Sequence, residues 1–105
     1  MTGQDVDIVS VFLRSEIVVP SGGPVGPDFS GFVPVLFDRE GVPMLAVFTS
    51  LERTAPVTNL ARYAVTMSGA DLVRRMPSGH GLVVNPGHAE GFEMLPDAVR
   101  VAAHR

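Results

Sequence analysis

The chain has no cysteine and no lysine. Without cysteine there is no disulfide framework, no thiolate nucleophile and no cysteine-ligated zinc finger or iron–sulfur cluster, so thiol redox chemistry is excluded. Without lysine there is no Schiff-base amine, no lysine general base and no lysine to reach a nucleotide phosphate from a glycine-rich loop. All eight basic residues are arginine, and the only adjacent basic pair is Arg74–Arg75. Isoleucine is nearly missing too, two residues beside seventeen valines, a bias that a GC-rich genome would also produce. Apolar runs near the ~20 residues that cross a bilayer are absent, as is the basic-then-apolar order of a signal peptide. A cytoplasmic protein with no membrane association is expected.

What is present describes a compact domain. The 105 residues suit one domain, expected over residues 1–105, able to bury roughly two-thirds of the surface its unfolded form exposes. Hydrophobic residues make up 46% and charged residues 18%, which separates the chain from disordered sequences. A formal charge of −3 and a pI near 5.4 argue against a nucleic-acid surface, which needs clustered positive charge.

The stretch 32–50 organises the rest. Val33, Val35, Leu36 and Phe37 precede a polar interruption, Asp38-Arg39-Glu40-Gly41, and Met44 to Phe48 follow it. This is the chemistry of a hairpin, with a type I turn and a left-handed glycine expected. The returning strand is apolar on both faces and should lie centrally in a covered sheet. It stops at Thr49 and Ser50, residues suited to cap a helix.

The flanking segments add elements. From Gln4 to Leu13, Val6, Ile8 or Val9, and Phe12 or Leu13 fall at near-helical spacing behind Thr2, predicting a short helix. Residues 16–19 read as an edge strand ended by Pro20. Glycine and proline dominate residues 20–31, a surface loop expected to be mobile. One helical turn is expected from Ser50 to Arg53, stopped by Pro56. Residues 62–67 read as a strand. Ser68, with Asp71 three residues on, should cap a helix ending at Pro77. Gly81 to Val84 is a buried strand, and Asn85-Pro86-Gly87 carries type II turn chemistry. Phe92 to Leu95 suggests a short strand, and Pro96 opens a C-terminal helix. Strand, helix and strand over residues 62–84 imply a crossover between parallel strands. The expected fold is α+β: a mixed sheet of about five strands with the hairpin central, helices on its faces and one βαβ crossover. Phe37, Leu45, Val47, Phe48, Leu82 and Val84 are the expected core.

The hairpin running into Val47-Phe48-Thr49-Ser50, the Gly69-Ala70-Asp71-Leu72 stretch and the run from Gly81 through Asn85-Pro86-Gly87 resemble, in order and spacing, the N-terminal domain of the SseB family of bacterial proteins. The resemblance covers roughly residues 4–100. It implies an α+β domain in a family associated with serine sensitivity and, in some members, with secretion systems. It implies no reaction and no catalytic residues. Larger members carry a C-terminal domain that this sequence does not include.

Candidate chemistry is sparse. His80, His88 and Glu90 could ligate a metal, but their spacing fits no zinc motif and they sit in glycine-rich turns, so no metal and no cofactor are expected. A Ser-His-acid triad needs only geometry, yet the G-x-S-x-G elbow is absent. Gly79-His80-Gly81 begins like a dinucleotide loop but precedes its strand, and Val84 stands where the third glycine belongs. Two function classes remain. The favoured one is a non-catalytic interaction module that binds a protein partner through the sheet rim or the 20–31 loop. The other is a small enzyme or ligand-binding protein with Thr49, Ser50, Asn85 and His88 at the carboxyl ends of parallel strands, where ligands gather in such sheets. The partner and the oligomeric state stay open.

Overall fold

The computed structural model describes residues 7–104. Helix α1 (Ile8–Arg14) is capped by Asp7, whose carboxylate accepts from the N–H groups of Val9 and Ser10. Thr2, Gln4 and Val6, part of the helix expected from the sequence, lie outside the described residues. Strand β1 (Glu16–Ser21) leads into the glycine-proline segment, and β2 (Leu36–Arg39) and β3 (Val42–Val47) form the hairpin. A 3₁₀ helix (Glu52–Val57), β4 (Tyr63–Ser68), α2 (Gly69–Arg75), β5 (Gly81–Val84), β6 (Phe92–Met94) and α3 (Pro96–Ala102) complete the chain.

The α+β architecture is as expected, but the strands divide into a two-stranded ladder, β1-β4, and a four-stranded sheet in the order β2-β3-β5-β6. Strand β3 is central and parallel to β5, while β2 is an edge, so only the returning arm of the hairpin lies inside the sheet. The crossover between parallel neighbours joins β3 to β5 through the 3₁₀ helix, β4 and α2. The simpler route from β4 to β5 does not occur, because β4 pairs with β1 instead.

The two ladders meet at Val18 and Phe48, which exchange backbone hydrogen bonds of 2.7 and 2.9 Å. This corrects the reading of β1 as a peripheral edge. Ile17 and Val19 point into the larger core with Leu45, Val47, Leu82 and Val84, whereas Val18 points into a second core with Ala46, Phe48, Val57 and Ala61. Both faces are therefore buried. Pro20 is tolerated because the N–H groups of Val18 and Gly22 turn away from β4, toward Phe48 and Val33, and by alternation the missing N–H of Pro20 lies on that side. Pro20 and Ser21 belong to this buried strand, so the loop begins at Gly22.

Other local expectations are corrected where a close pairing decides. Arg39 pairs with Val42, leaving a two-residue loop of Glu40 and Gly41 with φ of 52° and 91°. Both are positive, as a type I′ turn requires, in place of a type I turn. Among the described residues Thr49 and Ser50 cap no helix. The 3₁₀ helix starts after Leu51 without a side-chain cap and contains Pro56 within it. Phe37 is 39% exposed because it faces the side of the sheet that the 3₁₀ helix only partly covers; the other five expected core residues are buried.

Several signals hold as read. The Ser68 hydroxyl accepts from the Asp71 N–H, and α2 ends at Arg75 before Pro77. Pro96 occupies the first turn of α3. Gly69, opening α2, packs against the Phe12 carbonyl so closely that a Cβ there would collide with backbone, which fixes how α1 and α2 meet. Helices α1, α2 and α3 contribute Phe12, Leu72, Val73, Val99 and Ala102 to the larger core. Among the described residues no helix is long and apolar enough to cross a membrane.

Candidate functional site

The parallel pairing of β3 and β5 brings their carboxyl ends together, and with them most of the residues picked out by sequence. The Asn85 N–H continues the ladder to the Val47 carbonyl at 2.8 Å. The Asn85 side-chain oxygen accepts from the Thr49 N–H at 3.0 Å, and its amide nitrogen donates to the Thr49 hydroxyl at 3.1 Å. Asn85 is buried and takes a left-handed backbone, φ 55°, which asparagine tolerates better than most residues. Pro86 and Gly87, the latter with φ 85°, then form the type II turn, closed by the His88 N–H donating to the Asn85 carbonyl at 3.1 Å.

His88 is held from two sides. Its Nε2 donates to the Arg53 carbonyl at 2.8 Å, which places the proton on that nitrogen, and its ring stands edge-on to Phe48 with centroids 6.3 Å apart. Arg53 in turn pairs with Glu90 at 2.8 Å. Thr49, Asn85 and His88 thus share one rim. Ser50 follows Thr49 but joins this network by no hydrogen bond among the described residues. The polar atoms are spent on one another: Asn85 ties β5 to β3, and His88 ties the turn to the 3₁₀ helix. This arrangement pairs no nucleophile with a base. The metal candidates are likewise separated in role, His80 facing the Ser78 carbonyl at 3.4 Å and Glu90 engaged with Arg53. Among the described residues no three His, Asp or Glu side chains gather around one point.

Electrostatics here are local. The Arg53 guanidinium, through its hydrogen bond and its charge, holds the Glu90 carboxyl below the usual carboxylate range. Asp28 is lowered by the hydroxyl and N–H of Ser30. Because the folded pKa of Glu90 is depressed, its contribution to stability is present above the ordinary carboxylate value and disappears as pH falls through the folded one. Both partners are solvent-accessible, so that contribution is small. An NMR titration should give Glu90 a midpoint below that of a free glutamate, and Arg53→Gln should restore it. A midpoint unmoved by Arg53→Gln would show that the pair does not form in solution.

Two concavities flank the hairpin. An open groove of about 680 Å³ lies on the less-covered side of the four-stranded sheet, floored by Phe37, Met44 and Val83 and bordered by the Arg39–Glu93 ion pair. A second cavity, about 470 Å³, sits between α2, β4 and the glycine-proline segment; its walls include Phe29, Phe32, Leu36, Met67 and Leu72, and its polar lining is Arg75 and His80. Sequence reasoning missed this cavity. The available signal was Phe29 inside an otherwise glycine- and proline-rich loop and Phe32 directly after it, together with Arg75, half of the chain's one adjacent basic pair.

No curated protein and no solved structure matches the chain significantly. The family description "SseB protein N-terminal domain" matches residues 2–101, nearly the whole sequence. With the hairpin running into Thr49, the capped Gly69 helix and the Asn85-Pro86-Gly87 turn all in place, the chain belongs to the SseB family, as a copy of its N-terminal domain.

Proposed function

We propose that this domain is a non-catalytic interaction module that accepts an extended segment of a partner protein along the outer edge of β4. The observation that carries this reading is the character of that edge. Strand β1 directs the Val18 N–H away from β4, so Ile17, Val19 and Ser21 bond across to Met67, Val65 and Tyr63. By alternation Ala64 and Thr66 turn their N–H and C=O groups outward, and both residues are exposed. Proteins usually blunt such edges with charge, proline or brevity. Strand β2 has four residues including Asp38 and Arg39, and β6 has three including Glu93. Strand β4 runs for six residues, Tyr-Ala-Val-Thr-Met-Ser, with neither charge nor proline. Main-chain hydrogen bonds along an open edge supply affinity, and alternate side chains supply choice of partner.

The alternative, an enzyme or ligand binder working at Thr49, Ser50, Asn85 and His88, has less behind it because Thr49 and Asn85 bond each other, His88 bonds the Arg53 carbonyl, and Ser50 joins neither pair. Some members of the family are associated with secretion systems, so components of such a system are the first partners to test.

Affinity capture followed by mass spectrometry, run with the native domain and with Thr66→Pro, tests the proposal. Proline at position 66 removes an outward N–H and leaves the β1–β4 bonds intact. A partner recovered with the native chain should be lost at least tenfold with Thr66→Pro at an unchanged melting temperature. Equal recovery with both proteins would refute edge pairing.

A further inference from the structure

We infer that the cavity between α2, β4 and the glycine-proline segment binds a small amphiphilic anion, an apolar body carrying one carboxylate-type group. The volume, about 470 Å³, lies within the ~300–1,000 Å³ range of small-molecule sites, and the lining has their usual make-up of apolar walls with few polar groups. Met67 and Met76 give part of the wall a side chain that adapts to irregular shapes.

The sign of the ligand follows from Arg75. Of the seven described arginines, Arg39, Arg53, Arg74 and Arg100 each have a carboxylate partner. Arg14, Arg62 and Arg75 have none among the described residues, and of these three only Arg75 lines a described cavity. Among the described residues no Asp or Glu lines the same cavity. Its guanidinium carbon lies 4.3 Å from the centroid of the Phe29 ring. Stacking occupies one face of the guanidinium and leaves its N–H edge for a carboxylate, which that planar fork binds bidentately.

The ordinary role of such an arginine is to offset the helix dipole in the last turn of α2. Arg74 stands in the same turn and pairs with Asp71. Arg75 departs from that pattern by lying over a phenylalanine whose backbone is left-handed, φ 66°, a conformation uncommon for a bulky residue. The Phe29 ring also stands edge-on to Phe32, with centroids 6.1 Å apart. His80 adds a second polar group: with Nδ1 toward the Ser78 carbonyl, Nε2 is left to face a ligand.

The test uses probes that share a tail and differ in head group: decanoate, 1-decanol and decyltrimethylammonium, each below its aggregation limit, titrated against the domain labelled at its methionine methyls. Decanoate should shift Met67 and Met76 saturably while Met94 stays still, as should Met44, which floors the other groove. The alcohol and the ammonium should bind at least tenfold more weakly, and Arg75→Gln should weaken decanoate at least tenfold with the melting temperature preserved. Equal binding of all three probes, shifts centred on Met44, no saturable binding, or indifference to Arg75→Gln would each overturn the inference. Partner capture through β4 should be unaffected by Arg75→Gln, which keeps the two proposals separable.

Discussion

Phe48→Ala should destabilise the domain by about 3–5 kcal/mol, the usual cost of removing a fully buried phenylalanine ring. Phe48 has no exposed surface and is the largest of the fully buried side chains. Its backbone forms the bridge to Val18 that joins the two ladders, and its ring fills the smaller core with Val57 and Ala61 while supporting His88. Truncation would leave the bridge in place and open a cavity beneath the 3₁₀ helix. Urea denaturation should show a lower midpoint with little change in slope. A midpoint equal to that of the native protein would mean that Phe48 is not packed as described.

Asn85 offers the second large effect, and two substitutions separate its causes. Asn85→Gly permits the left-handed backbone but removes the two-way bond with Thr49, for a loss of about 1–2 kcal/mol. Asn85→Ala loses the same bond and keeps a Cβ at φ 55°, a conformation that costs alanine about 1–2 kcal/mol more than glycine. Alanine should therefore be the worse of the two by denaturation. If the glycine variant matched the native protein, the Asn85–Thr49 clasp would contribute nothing, and Asn85 would be free for another role.

Local chemistry explains what was legible in the sequence. Ser68 capping α2, Pro86 and Gly87 in a type II turn, and the apolar run that became β3 depend on neighbours a few residues away. What was not legible depends on distant pairing. Val18 and Val19 look like any short edge segment until Phe48 and Leu45 are known to lie on opposite sides of them. Phe37 shares the apolar pattern of Leu45 and Val47, and nothing in that pattern says which face the helices cover. The β4 segment resembles the first arm of a βαβ unit, and only its register with β1 takes it out of the main sheet. The strand-end cluster was legible because parallel strands place their carboxyl ends together. That its atoms bond one another was not, since Asn85 suits a turn equally well. Arg75 and Phe29 come together only through tertiary packing.

The free edge of β4 is the centre of the functional proposal, and amide hydrogen exchange on the domain alone and on the captured complex tests it most directly. In the free domain Ala64 and Thr66 should exchange fast relative to Val65 and Met67, which bond to β1. In the complex Ala64 and Thr66 should slow selectively by an order of magnitude or more, as their N–H groups acquire carbonyl partners. Protection gained elsewhere on the surface, with Ala64 and Thr66 exchanging as before, would contradict the proposal.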